Sequence, residues 1–284
     1  MAEAGSETDA ATAEEAVWPG WAIATAICVR FYSRLPVPAL PGESDRHGAP
    51  DFRTVPRALP FAAPIIALPA ALVLLGAGLA GLDGMLAASL AIATLALTTG
   101  ALHEDGLADS ADGLFGGQTA ERRLEIMKDS RLGSYGAMAI GLSLLLRVSA
   151  LAMLVDHAGP LTAAGILLIA ASLSRLSGVL LLARLPPARA QGASAAVGRP
   201  SIGTALIGYA IGIVIALGIA LCLGLPRWGL VAGLAIAALN AVLVRRLCLR
   251  LIGGQTGDVA GATQQLDEIA IYLGYALLLG LAHR

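Results

Sequence analysis

Residues 203–224 read GTALIGYAIGIVIALGIALCLG, a run of 22 residues that contains no charged side chain. About 20 mainly apolar residues are enough for an α-helix to cross the ~30 Å hydrocarbon core of a bilayer. This run therefore predicts a transmembrane helix. Gly208 and Gly212 form a G-x-x-x-G pattern, a spacing that lets a second helix approach closely.

The same criterion predicts six further transmembrane segments, at 61–82, 84–102, 134–155, 161–183, 228–244 and 267–283. The apolar stretch from Val17 to Val29 is only 13 residues long, so we expect an interfacial or re-entrant helix there, with an eighth span as the alternative. The predicted fold is an all-α, polytopic membrane helix bundle of about seven transmembrane helices plus this short N-terminal helix. It forms a single membrane-embedded domain over residues 17–284.

The composition supports this fold class. Hydrophobic residues make up 57% of the chain and charged residues 14%, with a mean hydropathy of +0.76, whereas soluble domains have roughly 25% charged residues. The net charge of −1 gives no electrostatic sign of a nucleic-acid partner. Residues 1–16 carry five acids and no Lys or Arg, so we expect a disordered acidic tail and not a signal peptide.

Basic residues are concentrated in alternate connections between the predicted spans. Four regions, 30–57, 103–133, 184–202 and 245–265, hold 15 of the 19 Lys and Arg residues. By the positive-inside rule these regions are expected to be cytoplasmic. Arg147 and Arg175 lie inside predicted spans, where an arginine usually faces a polar interior and a partner such as a carboxylate or phosphate; snorkelling to the interface is the alternative.

Acidic residues are concentrated in one connection. Seven of the twenty acids lie between Leu102 and Arg131, namely Glu104, Asp105, Asp109, Asp112, Glu121, Glu125 and Asp129. At 100° per helical residue, Asp105, Asp109 and Asp112 share one face within about 60°. Their small and apolar neighbours favour a packed helix over the alternative, a solvated acidic face. Clustered carboxylates of this kind suit Mg²⁺ or Mn²⁺.

Two other polar stretches flank predicted spans. Residues 128–134 (KDSRLGS) combine basic donors with a glycine, which favours phosphate binding, with ordinary flanking charge as the alternative. Residues 253–258 (GGQTGD) precede Glu268; on one helix Asp258 and Glu268 would lie 80° apart and could face one site, although the stretch could also be a flexible turn. His103 could bind metal or phosphate, carry a proton, or be structural.

Four motifs resemble the adenosylcobinamide-GDP ribazoletransferase (cobalamin synthase) family. They are residues 34–38 (RLPVP), 103–113 (HEDGLADSADG), 124–133 (LEIMKDSRLG) and 254–258 (GQTGD). The resemblance covers nearly the whole chain beyond the acidic tail, in the expected order and spacing. Two positions depart from the family pattern: Glu104 stands where some relatives have an apolar residue, and Gln265 where some have an acid.

The resemblance implies a Mg²⁺-dependent, multi-pass enzyme of the bacterial inner membrane, with its active-site loops on the cytoplasmic side. Such an enzyme acts late in vitamin B12 biosynthesis. It joins adenosylcobinamide-GDP to α-ribazole, or to α-ribazole 5′-phosphate, giving adenosylcobalamin or its phosphate and GMP. Membrane lipid is the expected surrounding, and a homo-oligomer is a further possibility.

The motifs and the resemblance together give three sets of candidate site residues. The catalytic candidates are His103, Asp105, Asp109 and Asp112. The candidate metal ligands are Glu104, Asp105, Asp109, Asp112, Asp258 and Glu268. The candidate substrate contacts are Arg34, Lys128, Asp129, Arg131, Arg147, Arg175 and Gln255. Lys128 and Arg131 are expected to stabilise the leaving GMP, while His103 or a carboxylate accepts the proton of an attacking hydroxyl.

Two rival functions share some of these features. CDP-alcohol phosphotransferases also use membrane-embedded Asp residues and Mg²⁺, but their D-G-x-x-A-R signature is not satisfied after Asp105–Gly106. A cation transporter would place its acids near the middle of the spans. Here the acids lie at the predicted cytoplasmic ends, where a nucleotide could reach them.

Overall fold

The computed structural model describes residues 18–43, 50–189 and 197–282, and this part of the chain is helical, with no β-strand. The predicted disordered tail, residues 1–16, lies outside the described residues. The described helices are α1 (Trp21–Tyr32), α2 (Leu59–Leu79), α3 (Gly84–Thr99), α4 (Leu102–Gly116), α5 (Ala120–Ile126), α6 (Ser134–Ala158), α7 (Pro160–Arg184), α8 (Ile202–Cys222), α9 (Arg227–Ile252) and α10 (Gly257–Ala282). The predicted all-α membrane bundle is confirmed.

Five helices are long and apolar enough to cross a membrane: α2 with the 3-10 turn before it, α6, α7, α8 and α9. Helices α3 and α4 together form a sixth candidate, bent by 88°, so the described residues hold five or six candidate spans and not the seven predicted. The short N-terminal helix α1 has 12 residues, about 18 Å at 1.5 Å per residue, which is too short to cross the hydrocarbon core.

The second and seventh predicted spans differ in detail from the observed helices. The predicted span 84–102 ends at Thr99, because Gly100 and Ala101 adopt left-handed backbone conformations (φ +66° and +57°) that a right-handed helix cannot continue. The predicted span 267–283 belongs to α10, which begins ten residues earlier, at Gly257. The hydropathy criterion missed residues 257–266 because the first half of α10 is polar.

Helix α7 lies at the centre of the bundle. Within its most apolar 18 residues, 89% are buried, and it packs against α2, α6, α8 and α10. Helix α8 approaches it through the predicted G-x-x-x-G pattern: a Cβ atom on Gly208 or Gly212 would lie 2.9 or 2.5 Å from a Leu176 methyl group. The small residues of α8 therefore set its distance from α7.

We expect Gly212→Leu to destabilise the protein, because the added side chain would collide with Leu176. Overpacking of this kind costs about 1–3 kcal/mol of unfolding free energy. Thermal unfolding in detergent measures the effect. Gly218→Leu on the same helix is the control, since a Cβ there meets nothing within 4 Å; equal melting temperatures for the two variants would contradict the expected packing.

Candidate active site

Helix α4 carries the acidic motif and packs closely on α10. A Cβ on Gly106 would lie 2.8 Å from the backbone oxygen of Asp258, and one on Gly261 would lie 3.5 Å from the Cα atoms of His103 and Gly106. The two backbones therefore approach closely, and at Gly106 only a hydrogen fits. This contact brings the acidic face of α4 beside the first turn of α10.

The carboxylates predicted to share a face do interact, and Asp258 joins them from α10. Asp109 interacts electrostatically with Asp105, Asp258 and Asp112, all of the same charge. Among the described residues, no hydrogen bond or ion pair engages the side chains of Asp105 or Asp109. In the same part of the chain, no three Asp, Glu, His or Cys side chains converge closely enough to hold a metal ion by themselves.

Asp112 differs from the other acids of α4 because it is buried and hydrogen-bonded. Its carboxylate accepts the backbone N–H groups of Gly133 (2.7 Å) and Gly136 (2.9 Å) at the start of α6. A Cβ at either glycine would collide with this carboxylate. Asp112 therefore compensates free N–H groups at a helix N-terminus and fixes α6 against α4.

Arg147 forms the centre of a buried ion network. Its guanidinium donates to Glu104 (2.8 Å), Glu268 (2.9 Å) and Gln265 (3.0 Å), and the side chain is fully buried. Glu268 also accepts a hydrogen bond from the Gln264 amide (2.8 Å). These buried ion pairs and hydrogen bonds connect α4, α6 and α10 in the interior of the bundle.

Three of the candidate ligands belong to this network. Glu104 and Glu268 were expected to bind metal, but Arg147 engages both carboxylates. Arg147 was expected to bind substrate, but its charge is already neutralised in the interior. Glu104 lies about 100° around α4 from Asp105 and so faces a different neighbour. Glu268 is ten residues beyond Asp258, about 15 Å along the helix, a distance that an angular projection ignores.

Arg175 is also buried but has no comparable partner. It is 3% exposed, one Nη donates to the Ala171 carbonyl (2.9 Å), and its Nε has no hydrogen-bond partner. No carboxylate of the described chain forms an ion pair with it. Arg175 lines a cavity of about 210 Å³, as do His103, Asp105 and Asp258.

Arg189 is a candidate site residue that the sequence analysis did not name. It interacts electrostatically with Asp109 and Asp258, and its Nη2 donates to the Leu124 carbonyl at 2.7 Å, while its buried Nε has no partner among the described residues. The segment before Arg189 pairs with Gln255, whose backbone N–H donates to Pro186 (2.8 Å). No signal in the sequence distinguishes Arg189 from the other basic residues that flank the predicted spans.

Besides Arg147, five predicted substrate contacts lie outside the cavity, namely Arg34, Lys128, Asp129, Arg131 and Gln255. Arg131 is 87% exposed and forms an ion pair with Asp129; the hydrogen bonds from its guanidinium lower the pKa of that carboxyl to about 2. The Lys128 side chain is exposed and forms no hydrogen bond within the described chain. The Arg34 guanidinium packs against Gly100 at the break between α3 and α4. The side chain of Gln255 is buried, and its Oε1 has no partner.

The fold and site define a multi-pass membrane protein that gathers uncompensated carboxylates and arginines beside a cavity at one end of its bundle. The profile of the cobalamin-5-phosphate synthase family matches residues 24–276. The chain belongs to this family of transferases of cobalamin biosynthesis, as the sequence motifs predicted.

Several curated relatives are similar over most of the chain. Proteins named adenosylcobinamide-GDP ribazoletransferase are 52% identical in Azorhizobium caulinodans, 49% in Xanthobacter autotrophicus and 44% in Rhizobium meliloti. The matches cover 87%, 89% and 88% of this chain and 92%, 95% and 94% of those relatives. No solved structure matches the chain.

We expect Arg147→Leu to destabilise the protein strongly, because it leaves the Glu104 and Glu268 carboxylates buried without a counter-charge. Removal of one partner from a buried ion network costs about 3–5 kcal/mol. Unfolding in detergent micelles measures the loss. The triple variant Glu104→Gln, Arg147→Met and Glu268→Gln removes all three charges and should recover much of it; a single variant as stable as wild type would contradict this account.

Proposed function

We propose that this protein transfers the cobinamide phosphoryl group of adenosylcobinamide-GDP to α-ribazole or α-ribazole 5′-phosphate and releases GMP. The relatives' names support the reaction, and the observation that carries it is the group of uncompensated carboxylates beside a cavity. The concentration of basic residues in the connections at this end supports a cytoplasmic site in the bacterial inner membrane.

The acidic residues fit a divalent cation. Asp105 and Asp109 offer hard oxygen donors without ion-pair partners in the described chain, and a cation between them would relieve the repulsion of their like charges. Mg²⁺ is usually bound by one or two carboxylates together with water and substrate phosphate oxygens, so it does not require three converging protein ligands. Asp105, Asp109 and Asp258 would hold Mg²⁺, or Mn²⁺ in its place. The bound ion would neutralise charge on the pyrophosphate.

The residues around this cluster divide the remaining tasks. A ribose hydroxyl of the acceptor attacks the phosphorus bonded to the cobinamide; the new O–P bond forms as the bond to the GMP oxygen breaks. The hydroxyl proton passes to a carboxylate of the cluster or to His103. In-line positioning and charge compensation, not covalent catalysis, account for most of the rate.

Arg189 takes the role that the sequence analysis gave to Arg131. Its buried Nε is free to donate to a phosphate oxygen, and it already lies within electrostatic range of Asp109 and Asp258. The Arg131 guanidinium, by contrast, is engaged by Asp129 on the surface. Lys128 on the same exposed loop remains available to the leaving GMP.

We expect Asp105→Asn to reduce GMP release by about 10²-fold or more, because it removes one charged oxygen donor of the cluster. The assay follows GMP and cobalamin formation from adenosylcobinamide-GDP and α-ribazole by the reconstituted protein, with and without Mg²⁺. Glu121→Gln is the matched control, since Glu121 is an exposed acid on α5.

Two results would overturn the proposed function. One is the absence of turnover by well-folded protein with either α-ribazole or its phosphate. The other is turnover that is equally fast without any divalent ion, because the carboxylates of the cluster would then not act by binding Mg²⁺. A folded state is checked for each variant by its unfolding temperature.

A further inference from the structure

The cavity beside the acidic cluster has one wall made of aromatic rings. Phe31 and Phe52 have ring centroids 5.0 Å apart, Tyr32 and Phe52 6.3 Å, and Tyr32 stacks on His103 at 5.9 Å with an interplanar angle of 3°. All four side chains line the cavity. Only 4% of the chain is aromatic, so this concentration provides a surface suited to a flat ring.

A buried arginine whose Nε has no acceptor among the described residues lines the same cavity. The Arg175 guanidinium can only donate hydrogen bonds, it is 3% exposed, and its Nε has no partner. A buried donor left unsatisfied costs free energy, so a ligand that offers an acceptor is favoured here. Arg175 belongs to α7, the central helix, which makes its position rigid.

The volume of the cavity limits the ligand. Pockets for drug-sized molecules are about 300–1,000 Å³, whereas this one is about 210 Å³. It therefore suits one ring system and not a whole nucleotide, and a corrin ring is far too large. Val179, Leu182 and Val197 make the remaining walls largely apolar.

We propose that this cavity binds the base of the acceptor nucleoside. The inference rests on the proposed function and assigns a subsite to one of its substrates. The base of α-ribazole is a flat bicyclic ring with two methyl groups, and its one hydrogen-bonding atom is the imine nitrogen, an acceptor. The ring lies on the Tyr32–Phe52 wall and the imine nitrogen accepts a hydrogen bond from Arg175.

This placement directs the sugar toward the acidic cluster. Asp105 and Asp258 line the same cavity as Arg175, so a ribose attached to the bound base extends toward their carboxylates. The attacking hydroxyl is then held where the pyrophosphate is bound. The cavity thereby orients the nucleophile as well as selecting the base.

Guanine fits the same cavity less well. It presents N–H donors that need acceptors, and the Gln264 carbonyl in the cavity already accepts a hydrogen bond from Gln265 (3.1 Å). The strongest acceptors left are the Asp105 and Asp258 carboxylates, which the proposed function assigns to the cation. Guanine also lacks the methyl groups that apolar walls favour.

The test is binding of α-ribazole to the full-length protein in nanodiscs, without Mg²⁺ or corrinoid, by isothermal titration calorimetry. The comparison ligand is the corresponding indole riboside, in which a C–H replaces the imine nitrogen. Wild type should bind α-ribazole about tenfold or more tightly than the indole analogue, because only α-ribazole can accept a hydrogen bond from the charged Arg175 side chain. Arg175→Met should remove that difference.

A matched variant and a turnover assay make the outcomes distinct. Arg184→Met, on the same helix but outside this cavity, should keep the preference for α-ribazole. If turnover persists but Arg175→Met discriminates between the two nucleosides as wild type does, the base subsite is wrong and the proposed function stands. If GMP displaces α-ribazole from wild type and Arg175→Met abolishes GMP binding, the cavity belongs to guanine. If neither turnover nor binding occurs, both proposals fail.

Discussion

The ion network of Arg147 with Glu104 and Glu268 is the interaction on which the rest of the structure depends. A charge in the interior of a membrane bundle must be compensated, and this one is compensated by carboxylates from two other helices. The network fixes the rotation of α4. With Glu104 held toward α6 and α10, Asp105 is turned toward the cavity.

The charged groups of the bundle fall into two kinds, and the difference indicates where ligands bind. Arg147, Glu104, Glu268 and Asp112 are engaged by charged side chains or backbone N–H groups and hold helices together. Arg175, Arg189, Asp105 and Asp109 form no ion pair within the described chain and lie near one cavity. Uncompensated groups of both signs suit a substrate that carries phosphate groups and a cation together.

Glycines make this arrangement possible. Gly106 lets α4 and α10 meet at backbone distance, and Gly133 and Gly136 leave room for the Asp112 carboxylate. Gly100, with Ala101, ends α3 and starts α4 at 88° to it. The glycines in the family motifs therefore allow the helices to pack closely. A larger residue at these positions would displace the acidic side chains.

The sequence by itself determined the membrane fold, the family and the acidic face of α4, because hydropathy and helical spacing are local properties of the chain. It also located the first turn of α10 as a polar segment. Only the tertiary structure decided which charges face one another. Glu104 and Glu268 were candidate metal ligands in the sequence analysis, but α6 packs against both α4 and α10, and its Arg147 engages both carboxylates. Arg175 and Arg189 differ from other basic residues only in what surrounds them, and their surroundings come from segments distant in the chain.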